Sequence, residues 1–156
     1  MTSFAKYILV AACILLVGAC DKMPENGDLD GQWQVTSLAR NVSAEGDEAV
    51  YTPLPLPEKG LYWNFQLQLL MIYTPGALHN GHTAYTAARF TVRNDSLLVT
   101  DTYIHTMNSD SLLDESTTCL RGVGIDANRE GFALRSLSDK HMELVSAHYR
   151  LLLRKY

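Results

Sequence analysis

Cysteine is scarce in this sequence. The 156-residue chain has three, at positions 13, 20 and 119. Small exported domains that lack a large core are usually held together by several disulfides, and three cysteines allow one pair at most. The composition therefore excludes a disulfide framework, and a hydrophobic core has to stabilise the fold.

Basic residues are also few and scattered. Thirteen lysines and arginines stand against 17 aspartates and glutamates, which gives a formal net charge of −4. Nucleic-acid-binding domains carry clustered basic side chains that neutralise phosphates. No basic cluster occurs here, so we expect no nucleic-acid partner.

Long apolar runs are missing as well. The most apolar stretch, residues 7–19 after Lys6, carries no charge and is shorter than the ~20 residues of a transmembrane helix. A positive charge, a short apolar run and small residues are together typical of a signal peptide. The run ends in Val17-Gly18-Ala19-Cys20, which resembles the lipobox of bacterial lipoproteins. The resemblance implies cleavage before Cys20 and acylation of that cysteine.

This interpretation divides the chain into three parts. Residues 1–19 are the signal peptide, residues 20–29 a polar tether that begins at lipidated Cys20, and residues 30–156 one domain. The mature protein is then anchored in the bacterial envelope, either in the periplasm or on the outer-membrane surface. The alternative is a short buried helix with an incidental cysteine. Cys119 is left as a single thiol, which we expect to be a buried small hydrophobe; the alternative is a reactive or intermolecular cysteine.

The domain alternates apolar and polar residues in the manner of β-strands. Every second position from Leu61 to Tyr73 is apolar, which predicts one long half-buried strand. Asn94-Asp95 predicts a tight hairpin, because both residues tolerate a positive φ. A Ser138-Asp139 turn is also expected. Seven or eight strands with short turns predict an all-β antiparallel meander that closes into a barrel of about eight strands. A β-sandwich is the alternative.

One connection, residues 41–60, is long and contains prolines at 53, 55 and 57. Alternating prolines stiffen a chain towards an extended conformation. Long loops in compact domains are often lids or binding loops. The segment is either such a lid or a passive strap across the barrel.

Gly31-x-Trp33, at the head of the first predicted strand, resembles the G-x-W signature of the lipocalin superfamily. The C-terminal succession of strand, turn and strands is similar to small lipocalin-like bacterial lipoproteins. The resemblance implies that Gly31 turns the chain into the barrel and that Trp33 plugs its closed end. It further implies that Arg154, or else Arg150, lies across the Trp33 ring in a cation–π contact.

Aromatic residues on the apolar faces of the strands form the candidate ligand-binding site. An eight-stranded barrel is wide enough to be filled by side chains or to hold one small ligand. Either these residues bind a small apolar molecule or lipid, or they form a solid core in an interaction or envelope-assembly accessory domain. The candidates are Trp63, Phe65, Tyr73, Phe90, Phe132 and Tyr149.

No motif for catalysis or for a cofactor stands out. His79-x-x-His82 is the nearest approach to a metal site, but a stable zinc site has three or four ligands. No G-x-S-x-G, C-x-x-C or phosphate-loop pattern occurs. The sequence therefore predicts a non-enzymatic protein without metal or cofactor. Its expected partners are the membrane and either a small apolar ligand or an envelope protein.

Overall fold

The computed structural model describes residues 25–44, 46–76, 78–79, 82–106, 109–114 and 118–156. The predicted signal peptide and Cys20 therefore lie outside the described residues. Short 3-10 turns are found at Gly27–Leu29 and Arg121–Val123. No helix in these ranges has the length and apolar character needed to cross a bilayer. The strands are β1 (Gly31–Asn41), β2 (Tyr51–Pro53), β3 (Leu61–Gln66), β4 (Leu69–Tyr73), β5 (Leu78–His79), β6 (His82–Arg93), β7 (Ser96–Thr106), β8 (Ser109–Leu112), β9 (Glu130–Leu137), β10 (His141–Val145) and β11 (Tyr149–Lys155).

Eight strands close into a ring of antiparallel pairs. In chain order, β1, β3, β4, β6, β7, β9, β10 and β11 each pair with the next, and β11 returns to β1. The short strands β2, β5 and β8 are added beside β1, β6 and β7. The predicted meander of about eight strands is confirmed. A closed ring leaves fewer free strand edges than an open sheet.

The prediction of one long strand over 61–73 is wrong. The chain reverses at Leu67–Gln68, so that Phe65 pairs with Leu70 across the turn. The two-residue turn changes which positions face inward. Residues 61, 63 and 65 are buried in β3, whereas residues 70 and 72 are buried in β4. Leu67 and Gln68 are not typical turn residues, and the apolar alternation happens to continue through them.

The other predicted turns are confirmed. Arg93 pairs with Ser96 across the Asn94-Asp95 turn, and Asn94 has a φ of 52°. In the β9–β10 turn, the Ser138 hydroxyl accepts a hydrogen bond from the backbone N–H of His141 at 3.0 Å. Both turns lie at the end of the barrel where β1 begins, as does the β3–β4 turn. We call this the closed end.

The opposite end, where β1 finishes beside the β10–β11 turn, is the mouth. Segment 118–129 crosses it and places Leu120 and Ile125 in the core. A Cβ on Gly124, which has a φ of 94°, would come within 3.1 Å of Leu151. This segment is therefore pressed closely onto the barrel.

Two features of the connecting segments also bear on the sequence predictions. Cys119 is exposed, so the prediction of a buried thiol is wrong, and Leu120 takes the buried position beside it. Within segment 41–60, the Leu54 N–H donates to the carbonyl oxygen of Leu38 at 2.8 Å. Leu54 and Leu56 also pack against the core. The described residues thus favour a strap along the barrel wall over a mobile lid.

Candidate functional site

Gly31 and Trp33 shape the closed end. Gly31 has a φ of 112°, which L-residues rarely adopt, and a Cβ there would lie 3.2 Å from the Lys155 side chain. Trp33 is fully buried, and its indole N–H donates to the carbonyl oxygen of Leu29 at 2.8 Å. Glycine is needed at position 31 because the backbone turns tightly beside the plug.

The cation over the plug is Lys155, so the prediction of Arg154 is wrong. Lys155 Nζ lies 4.8 Å from the centroid of the Trp33 ring. Side chains alternate along β11, and the Arg154 guanidinium therefore faces outward and donates to Gln34 Oε1 at 3.0 Å. Arg150 shares that outer face. A shift of one position along a strand moves a side chain to the other face of the sheet.

Five of the six predicted lining residues face the interior and are buried. The ring centroids of Phe65 and Phe90 are 5.2 Å apart, and those of Trp63 and Phe132 are 5.8 Å apart. Edge-to-face contacts of this kind are typical of packed cores. All five belong to one cluster of buried core residues. The five residues are Trp63, Phe65, Phe90, Phe132 and Tyr149.

Tyr73 does not line the interior, so its prediction is wrong. The turn at Leu67 puts it on the outer face, where its ring stacks on Tyr62 with centroids 5.5 Å apart. Tyr156 meets Tyr62 edge-on at 5.3 Å. Partial burial and the neighbouring phenols of Tyr62 and Tyr156 raise the pKa of Tyr73, against a smaller lowering by the hydrogen bond with Gln32.

Two inward polar atoms, Trp63 Nε1 and the Tyr149 hydroxyl, have no hydrogen-bond partner among the described residues. An unpaired buried polar group costs about 1–3 kcal/mol. Burial raises the pKa of Tyr149, and the nearby Asp126 carboxylate adds to this, while Arg40 lowers it.

Charged side chains gather around Tyr149 at the mouth. The Asp126 carboxylate lies 2.9 Å from Arg121 Nε and 3.7 Å from Arg40 of β1. Because Asp126 and Arg121 belong to segment 118–129, the Arg40 contact ties that segment to the barrel wall. All three side chains are partly exposed, which limits the strength of these ion pairs.

Glu130 is the buried member of this group, with its side chain 2% exposed. Its carboxylate accepts the backbone N–H of Asp126 at 3.1 Å and lies 3.0 Å from His148 Nδ1. These contacts join β9 to segment 118–129 and to the β10–β11 turn. Glu130 therefore holds these three segments together, and we call its contacts with Asp126 and His148 the clasp.

A groove of about 420 Å³ crosses the outer faces of β4, β6, β7 and β8. It is centred on Ala87, whose small side chain leaves a depression among larger ones. Met71 on β4 and Tyr103 on β7 are its cross-strand partners, and Tyr85 and Arg89 flank it along β6. The volume lies in the range of about 300–1,000 Å³ that small-molecule sites occupy. We call this the outer groove.

The two ends of the outer groove differ. Towards the mouth, the Tyr85 and His105 rings pack with centroids 4.4 Å apart, and His105 Nδ1 pairs with the carboxylate of Asp110 on β8. Towards the closed end lie Leu69 and Arg89, both exposed. Arg89 forms no hydrogen bond or ion pair with the described residues. The groove therefore combines mostly apolar walls with the His105–Asp110 pair at one end and the Arg89 guanidinium at the other.

The residue pattern held a partial signal for this groove. The alternation of side chains along a strand places Tyr85, Ala87 and Arg89 on one face of β6. The same alternation places Tyr103 and His105 on one face of β7. Sequence reasoning overlooked them because the pairing between strands decides which side chains become neighbours. That register is a property of the folded barrel.

His79 and His82 are the histidine pair that the sequence identifies as the nearest approach to a metal site. His79 pairs with His82 across the β5–β6 hairpin. Within the described ranges, no group of three or more histidine, cysteine or acidic side chains is placed to hold a metal ion. The absence of a metal and of a cofactor stays a prediction.

The sequence matches the family model of the lipocalin-like domain over residues 14–156. The chain belongs to the lipocalin-like domain family. This membership confirms the resemblance inferred from Gly31 and Trp33, and it agrees with the closed ring of strands. No curated protein matches the sequence.

A solved structure with a TM-score above 0.5 shares this fold. A lipocalin-like protein from Bacteroides uniformis is similar with a TM-score of 0.53 and 16% identity, covering 83% of this chain and 100% of that one. An uncharacterized protein from Bacteroides eggerthii has a TM-score of 0.46 and 14% identity, covering 82% of this chain and 99% of that one. At such identity the first likeness concerns the lipocalin-like fold alone.

Proposed function

We propose that this lipocalin-like protein is a non-enzymatic binding protein, anchored by lipid in the bacterial envelope. Its ligand is a small apolar molecule or lipid that carries one polar end. The anchor is supported by the signal-peptide pattern and by Val17-Gly18-Ala19-Cys20. Binding of a small molecule is supported by the lipocalin-like barrel and by the outer groove.

The outer groove is the observation that carries the proposal. Small-molecule sites are concave and mostly apolar, with a few polar groups that orient the ligand. Met71, Ala87 and Tyr103 supply the apolar surface, and Arg89 supplies a charge for an anionic or polar end. The barrel interior, by contrast, is occupied by aromatic rings in mutual contact. We therefore place the ligand on the outside of the barrel.

The binding site is tested by native mass spectrometry of the protein purified from its own envelope. Ala87→Phe fills the outer groove, whereas Phe90→Leu alters only the interior. We expect a co-purifying small molecule with the wild type and with Phe90→Leu, and its loss with Ala87→Phe. Loss with Phe90→Leu and retention with Ala87→Phe would instead place the ligand inside the barrel.

The anchor is tested separately by Cys20→Ser. Acyl chains should disappear from the mass of the protein, and the protein should leave the membrane fraction. Membrane retention at the wild-type level would contradict the lipobox interpretation.

The second candidate is an interaction or envelope-assembly accessory domain with a solid barrel. It is favoured by β8, which is exposed along its length and carries Leu112 at 61% exposure. A strand edge of this kind can accept a strand from a partner. A co-purifying protein that is lost on Leu112→Lys, with no bound small molecule, would support this candidate.

A further inference from the structure

We propose that the closed end of the barrel docks on the bilayer that holds the anchor, with Leu67 as its leading side chain and Leu69 beside it. This inference rests on the lipid anchor of the proposed function. It adds an orientation for the domain and a membrane-contacting surface. The occupant of that surface is the lipid bilayer.

The tether leaves the domain at the β3–β4 turn. Asn26 Nδ2 donates to the carbonyl oxygen of Leu67 at 2.7 Å and to Asp30 Oδ1 at 2.6 Å. The backbone N–H of Asn26 also donates to Asp30 Oδ2 at 3.1 Å. These bonds fix the start of the described chain against the closed end.

The length of the tether limits where the bilayer can lie. Cys20 and Glu25 are five peptide steps apart in the sequence, and five steps span at most about 18 Å in any conformation. The 11 residues of β1 alone extend over roughly 35 Å. An acylated Cys20 therefore keeps the closed end within about 18 Å of the bilayer surface, and the mouth is the more distant end.

Leu67 combines two features that folding alone does not favour. Its φ of 57° is in the left-handed region, where side chains other than those of glycine and asparagine are strained. Its side chain is also 59% exposed. Asn94, in the corresponding β6–β7 turn at the same end, has a φ of 52° and is the usual choice for such a position. A strained and exposed leucine indicates a role outside the packing of the domain.

The neighbours of Leu67 fit a bilayer surface. Leu69 is 49% exposed, and its cross-strand partner is the exposed Arg89. Apolar side chains flanked by a basic one are typical of surfaces that rest in the headgroup region. The Asn94-Asp95 turn is polar, so the contact is one-sided and tilts the barrel towards the β3–β4 turn. In this orientation the Leu69–Arg89 end of the outer groove lies at the bilayer surface.

The orientation is tested with the acylated full-length protein in vesicles of phosphatidylcholine and phosphatidylglycerol at 3:1, with or without brominated acyl chains. A polarity-sensitive fluorophore is attached to Leu67→Cys or Val50→Cys in a Cys119→Ser background. Val50 is 56% exposed and lies near the mouth. We expect a blue-shifted emission that brominated chains quench at position 67, and neither effect at position 50. Equal quenching at both positions, or none at position 67, would overturn the proposal.

Flotation of the same samples separates this proposal from the anchor. Protein that floats with the vesicles but shows no quenching at position 67 contradicts the docking alone. Protein that does not float contradicts the anchor, and the docking with it.

Leu67→Asn gives a second test that does not endanger the fold, since Asn94 already occupies the same backbone conformation. With the fluorophore on Leu69→Cys, the substitution should reduce the ratio of docked to undocked protein roughly tenfold, the effect expected for the loss of one buried leucine. The matched control, Asn94→Ser, should leave that ratio unchanged. An unchanged ratio in Leu67→Asn would show that Leu67 does not contact the bilayer.

Discussion

The two ends of the barrel are closed in different ways. At the closed end a single large ring, Trp33, is buried beneath the ammonium group of Lys155. At the mouth, segment 118–129 lays Leu120 and Ile125 over the core, and the charged residues around Asp126 and Glu130 hold it there.

The difference concerns how stability is distributed. Burial of one aromatic side chain concentrates the free energy of unfolding in one residue. A network of partly exposed ion pairs spreads a smaller contribution over several residues. Substitutions at the closed end should therefore have larger single effects than substitutions at the mouth.

The largest effect is expected for Trp33→Ala. Removing a fully buried tryptophan should lower the free energy of unfolding by about 3–5 kcal/mol, as measured by urea denaturation. Leu152→Ala is the control, because Leu152 is 39% exposed on the outer face of β11. A loss below 1 kcal/mol for Trp33→Ala would mean that Trp33 is not the plug.

Glu130→Ala tests how much the buried carboxylate at the mouth contributes to stability. It leaves the Asp126 N–H and His148 without their buried acceptor, at an expected cost of about 1–3 kcal/mol. Glu143→Ala removes a carboxylate whose ion pair with Arg150 is exposed, and it should cost about 0–1 kcal/mol. Equal losses for the two variants in thermal denaturation would argue against a clasp at Glu130.

Lys155→Met measures how much the cation over Trp33 contributes to the free energy of unfolding. The methionine keeps an apolar side chain over Trp33 but loses the cation–π contact, worth about 0.5–2 kcal/mol. It also loses the Lys155 hydrogen bonds to the carbonyl oxygens of Asp28 and Asp30. Arg154→Met should change the free energy of unfolding much less. The opposite ranking would restore Arg154 as the residue that closes the barrel.

The smallest effect at neutral pH is expected for Tyr149→Phe, because the hydroxyl has no partner among the described residues. At high pH the two proteins should differ. The pKa of Tyr149 is raised from 10.0, mainly by burial, so the folded state favours the neutral phenol. That contribution is complete below pH 10 and is lost as the pH rises through the raised pKa. In alkaline denaturation, Tyr149→Phe should not show the loss of stability that comes from ionising Tyr149. The corresponding loss from Tyr73, whose pKa is also raised, should occur in both proteins.

Several features of the fold could be predicted from the sequence because local chemistry decides them. Asn94 tolerates the backbone of a tight turn, and Gly31 with Trp33 marks the entrance to the barrel. The β3–β4 turn could not be predicted, since Leu67 and Gln68 give no turn signal. The choice of Lys155 over Arg154 depends on the exact register of one strand.

The candidate site was harder to predict than the fold. Five interior aromatic residues were identified because burial follows the alternation along each strand. The outer groove, in contrast, exists because Ala87 lies between Met71 and Tyr103 on neighbouring strands. No pattern within one strand contains that neighbourhood.

A crystal structure of the protein purified from its native host tests the central claim most directly. We predict ligand density above Ala87, between Met71 and Tyr103, with the polar end of the molecule directed at Arg89. The interior around Trp63 and Phe90 should contain only side chains. Ligand density beside Trp63, with the outer groove empty, would contradict the account.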